Sequence, residues 1–165
     1  MGEGSEAGGA SDPGVELLLR HWGDRPRGSG VVQGVSWVGI LVSEALRHGY
    51  ALGRCSDVHR WVVYRRSLRR LLRRVRERDL RREVDRELRL TMAVLAAYSF
   101  TCMDRVEGDD LAYLVEARDL MALYVRSCYK LRSLRDRKKC IELRIGDAFA
   151  GAENPLSIIS LLRRA

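Results

Sequence analysis

From Ser56 to Met103 the chain contains neither glycine nor proline. With both common helix breakers missing, a 3.6-residue apolar period over this stretch commits the middle of the chain to helix. Trp61, Tyr64, Leu68, Leu71, Leu72 and Val75 share one helical face, and all but Leu72 also fit the a/d spacing of a heptad. Leu80, Val84, Leu88, Thr91 and Leu95 form a second stripe, rotated by more than a third of a turn from the first. One straight helix cannot bury both stripes against the same surface. A break is therefore expected near residues 76–79, with Asp79 as a cap. Ser56 is placed as the N-cap of the first helix, with Asp57 in its first turn favouring the dipole.

The rest of the chain extends this pattern. Residues 1–14 are glycine, serine, alanine and acid before Pro13-Gly14, and read as a flexible, disordered N-terminal tail. Helices are expected at Val15–Trp22, Val31–His48, from a cap at Asp109 or Asp110 to about Leu134, Cys140–Phe149 and Leu156–Arg164, with Gly49 as a left-handed C-cap. At 165 residues, 46% hydrophobic and 7% aromatic, the chain has enough aliphatic material for one core. The expected fold is all-α: a single compact bundle of six or seven helices over residues 15–165. The longest apolar stretch, Leu90 to Met103, is too short to span a bilayer and reads as a core helix. No transmembrane segment, signal peptide or lipidation motif is present, so an intracellular location, cytoplasmic or nuclear, is expected.

Charge singles out one element. The formal net charge is +8, and of 30 basic residues all but Lys130, Lys138 and Lys139 are arginine. Residues 54–89 carry an excess equal to that of the whole chain. Within them, residues 77–89 are balanced by Glu77, Asp79, Glu83, Asp85 and Glu87. Residues 58–76 hold Arg60, Arg65, Arg66, Arg69, Arg70, Arg73, Arg74 and Arg76 with no acid. A coding bias toward arginine would not remove acids from this window alone. Like charges at i, i+4 each cost a few tenths of a kcal/mol, so an anionic partner would stabilise the helix. Arg65, Arg66, Arg69, Arg70, Arg73, Arg74 and Arg76 are the candidate anion-binding residues, suited to an RNA or DNA backbone without sequence preference. The structural alternative is a solvated face, or one paired with acids from elsewhere in the fold. An acidic protein or a membrane surface would also suit a basic amphipathic helix.

Other constellations are weaker. Cys55 and His59 at i, i+4 make half a metal site without a second half, and the four separated cysteines read as free and buried. Gly28-Ser29-Gly30-Val31-Val32-Gln33-Gly34 has its third glycine one position late for a dinucleotide loop, and no strand precedes it. Asp104, Glu107, Asp109 and Asp110 sit at a helix junction, where acids serve as caps. No nucleophile–base pair, metal set or cofactor motif emerges, and a non-enzymatic protein is expected.

Leu19-Arg20-His21-Trp22-Gly23-Asp24 resembles the core of a BH3 death motif, with Leu19, Trp22, Gly23 and Asp24 on one helix face. Ile145-Gly146-Asp147-Ala148-Phe149 is a partial second match with its leucine out of register. Gly34-Val35-Ser36-Trp37 resembles the BH1 region of Bcl-2-like bundles, although Val38-Gly39 stands where that family has Gly-Arg. The resemblance implies helix-in-groove binding to a cell-death regulator. The leading expectation is a regulatory or accessory protein that binds nucleic-acid backbone through residues 58–76, as a dimer through exposed heptad residues. The alternative is a protein–protein adaptor with an acidic or helical partner.

Overall fold

A central helix organises the molecule, seen here in a computed structural model that describes residues 36–150. In chain order the α-helices are α1 (Trp37–Arg47), α2 (Val58–Arg74), α3 (Arg78–Cys102), α4 (Asp109–Tyr124) and α5 (Leu134–Phe149). Short 3₁₀ turns at Cys55–Asp57 and Arg126–Lys130 lead into α2 and follow α4. Every residue from Leu90 to Cys102 is buried. The C-terminal half of α3 is thus enclosed on all sides, as its largely apolar composition requires, with Thr91, Ser99 and Thr101 buried among the apolar residues. Around it pack Leu41 and Val42 of α1, Val58 and Val62 of α2, Leu114 and Met121 of α4, and Ile141 and Ile145 of α5.

The N-terminal half of α3 leaves this core and pairs with α2 alone. Leu68, Leu71, Val75 and Val84 form a second, smaller core there, flanked by Tyr64, Leu72, Leu80 and Leu88. The two rotated stripes therefore face each other across a hairpin. Val75 and Glu77 are extended at the bend (ψ 129° and 133°), where the apolar phase slips. Arg81 stabilises the elbow: its Nη1 donates to the carbonyls of Leu72 and Val75, both at 2.9 Å. Leu72 and Val75 lie at the C-terminal end of α2, where carbonyls lack helical partners. The heptad residues are used inside the chain: Leu68, Leu71 and Val75 are buried there.

Several expectations need correction. The described residues form five α-helices, not six or seven. Expected helices at Val15–Trp22 and Leu156–Arg164 lie outside the described residues, as do the tail and Leu19, Trp22, Gly23 and Asp24. The expected helix from Asp110 to Leu134 ends at Tyr124, and α5 begins at Leu134, ahead of Cys140. Ser133 caps α5, its Oγ accepting from the Asp136 amide. Asp57 and Glu77 occupy the N-cap positions expected for Ser56 and Asp79. Gly49 does hold the left-handed conformation after α1, with φ 89° and its amide donating to Leu46 O.

The cysteines are not free. Cys55 is joined to Cys102 and Cys128 to Cys140, each pair with Cα atoms 5.6 Å apart. The first bridge ties the start of α2 to the end of α3. The second ties the turn after α4 to the first half of α5. Cys55 and Cys102 are 47 positions apart and Cys128 and Cys140 are 12 apart, and neither spacing by itself encodes the pairing.

Candidate nucleic-acid interface

Helix α2 presents its arginines in two groups. Val58, Val62, Leu68 and Leu71 face the core, and Arg65 shares their side. Arg65 is buried, and its Nη1 donates to Leu88 O at 2.8 Å and Thr91 Oγ1 at 2.9 Å. Burial and the neighbouring Arg69 charge lower its pKa to about 10, so it stays charged at neutral pH. Beside it, Tyr64 donates to Glu87 Oε1. Burial pushes up the pKa of Tyr64 and also that of Glu87, although the Tyr64 hydrogen bond works against the Glu87 shift.

Arg66 and Arg69 turn toward α4. Arg69 pairs with Glu116 at 2.7 Å, and Arg66 reaches Asp109 at 3.7 Å. Both guanidiniums lie over the Tyr113 ring, 5.6 and 5.5 Å from its centroid. About two turns before Arg66, His59 Nδ1 meets Asp110 at 3.2 Å. The acids missing from residues 58–76 are therefore supplied by α4, across the helix–helix interface. Asp109 and Asp110 lie in the first turn of α4, after Gly108 at φ 65°, so they serve the helix dipole as well. The expected structural alternative accounts for this part of the arginine face.

The other group remains outward. Arg70, Arg73, Arg74 and Arg76 are all exposed. None forms an ion pair with a described residue, and beyond the bend Arg78 and Arg82 are exposed in the same state. Arg73 and Arg74 stand in the last turn of α2, where the dipole favours cations. Arg65, Arg66 and Arg69 are thus engaged within the fold, Arg60 stands apart near Asp57 at 4.0 Å, and Arg70, Arg73, Arg74 and Arg76 form a solvent-facing cluster around the α2–α3 elbow.

The remaining candidates separate. Cys55 is consumed by its bridge to Cys102, so Cys55 and His59 do not offer a ligand pair. Among the described residues, no group of three His, Cys, Asp or Glu side chains is placed to hold a metal. Nor is any described helix long and apolar enough to cross a membrane. Ile145, Ala148 and Phe149, the apolar residues of the second death-motif match, are buried in the main core.

Another basic segment escaped the sequence reading. Residues 126–139 carry seven basic residues, including every lysine of the chain, against the single acid Asp136. Its charge is legible in the sequence, although acids elsewhere balance it in the sum over residues outside 54–89. No protein-family model, curated protein or solved structure matches this chain.

Proposed function

We propose that the protein binds the phosphate backbone of RNA or DNA, without sequence preference, through Arg70, Arg73, Arg74 and Arg76 at the α2–α3 elbow. The observation that carries this reading is their exposure without an ion pair to any described residue, on a helix whose Arg65, Arg66 and Arg69 are engaged within the fold. Unneutralised guanidiniums on successive turns repel one another, and a polyanion relieves that repulsion. Arg65, Arg66 and Arg69 hold the helix in place and stand behind this surface.

Four phosphate contacts give a slope of roughly −3 to −4 in the logarithm of affinity against the logarithm of salt concentration. Fluorescence anisotropy with labelled RNA and DNA duplexes across a salt series measures it. Arg73→Glu with Arg74→Glu should abolish most binding and flatten the slope, whereas exposed Arg105→Gln should leave both near wild type. Absence of binding at low salt, or unchanged binding by the double variant, removes the proposal.

The adaptor reading has its own support. Leu111, Ala112, Val115 and Leu120 line a shallow strip on the outer side of α4, together with Gly108, Glu116 and Asp119. An apolar partner helix would suit that strip, since Val115 remains exposed although α4 already buries Leu114, Ala117 and Met121.

A further inference from the structure

We infer that the segment clasped by the Cys128–Cys140 disulfide is a docking surface for an anionic lipid membrane, separate from the arginine elbow. Its base is held firmly. Cys128 is buried in the main core, and the Tyr129 hydroxyl accepts a hydrogen bond from the Trp37 amide at 3.1 Å. The bridge spans a sequence separation of 12, so the residues between its ends form a short closed loop and the start of α5.

Charge and exposed apolar surface coincide on this loop and on Arg126 just before it. Arg126, Lys130, Arg132, Arg135, Lys138 and Lys139 are exposed, and none forms an ion pair with a described residue. Arg137 is half-buried, its Nε donating to Leu131 O. Asp136, the one acid, lies in the first turn of α5, where its charge answers the helix dipole. Between these cations Leu131 is 40% exposed and Leu134 is 47% exposed. Leu123 and Leu143 on the flanking helices are more exposed still. Four of the six large apolar side chains exposed among the described residues therefore lie within residues 123–143.

This combination selects between partners. A nucleic-acid backbone rewards the cations but offers nothing to solvent-exposed leucines. A membrane surface rewards both, because leucines enter the boundary between headgroups and acyl chains while lysine and arginine stems snorkel to lipid phosphates. A cluster of about four to eight basic residues is the size that anionic leaflets attract. The loop also stands away from the elbow. Tyr129 contacts Trp37, whose ring packs edge-on against Phe100 at 6.0 Å. Phe100 is roughly 30 Å along α3 from Leu80, at 1.5 Å per residue.

Co-sedimentation of the full oxidised chain with phosphatidylcholine vesicles, with and without phosphatidylserine, tests the inference. Binding is expected only to the phosphatidylserine vesicles. Lys138→Glu with Lys139→Glu should lower the partition coefficient at least roughly tenfold. Leu131→Ser with Leu134→Ser leaves every charge in place and should lower it several-fold. Circular dichroism and melting of each variant verify that these exposed substitutions leave the fold intact. Arg73→Glu with Arg74→Glu should not affect vesicle binding. No binding to phosphatidylserine vesicles overturns the inference, as does full binding by the leucine variant, which would make the attraction purely electrostatic. Loss of duplex binding by the lysine variant, with vesicle binding unchanged, would assign the loop to nucleic acid and likewise overturn it.

Discussion

Glu87 shows what a charged residue does when the fold leaves it little choice. It belongs to the part of α3 that reads in sequence as a self-compensated polar face, yet its side chain is buried beside Tyr64, with Oε2 lacking a hydrogen-bond partner among the described residues. Burial raises its pKa above the ordinary carboxyl value, and the Tyr64 hydrogen bond only partly offsets this. The folded state therefore holds the Glu87 proton over a pH range where the unfolded chain has lost it. Stability from this group is complete below the unfolded carboxyl pKa and falls as pH rises through the folded one. Glu87→Gln removes that loss. Urea denaturation should find the variant more stable than wild type at pH 8, by on the order of 1 kcal/mol, with the difference shrinking toward pH 4. A constant difference across that range would place the effect elsewhere. Arg65 teaches a related lesson. It stood among the candidate anion ligands because an arginine on a basic helix reads as exposed, but its guanidinium is held by Leu88 O and Thr91 Oγ1.

The α2–α3 hairpin is the element most fully legible in the sequence, because periodicity reports which way a helix faces. Two stripes out of phase required a bend between them, and the extended residues Val75 and Glu77 supply it. Charge pairing was not legible in the same way. Arg69 and Glu116 are 47 positions apart, and the sequence of α2 contains nothing that names its partner. The disulfides were hidden for the same reason, since Cys55 and Cys102 lie at opposite ends of the hairpin and meet only when it closes. At this scale Arg81 is the residue to test. It is exposed and belongs to a run of charges, yet it donates to two carbonyls at the end of α2. Arg81→Ala should cost about 1.5 kcal/mol, the low end of the usual range for hydrogen bonds involving a charged group. Hydrogen exchange should become faster at amides 71–75 and stay unchanged in α5. Uniform acceleration across the molecule would mean that the elbow does not open on its own.

For the whole molecule, the two cores and two disulfides define how stability is distributed. The larger core surrounds Leu90–Cys102, whereas the hairpin arm beyond it rests on Leu68, Leu71, Val75 and Val84. Cys55–Cys102 lies at the root of that arm, with a sequence separation of 47, against 12 for Cys128–Cys140. Closing a longer loop removes more entropy from the unfolded chain, by the logarithm of its length. On that basis the first bridge contributes about 4 kcal/mol and the second about 3 kcal/mol. Replacing Cys55 and Cys102 together by serine should therefore lower the guanidinium midpoint more than replacing Cys128 and Cys140. The first change frees the root of the arm that carries the arginine elbow. The second frees the basic loop, whose leucines and lysines would no longer be held over a fixed base. Denaturation of both double variants, with the remaining bridge verified by mass spectrometry, measures the order. If the shorter bridge proves the costlier to lose, native packing around buried Cys128 outweighs loop length, and chain entropy is not what the disulfides chiefly contribute to this fold.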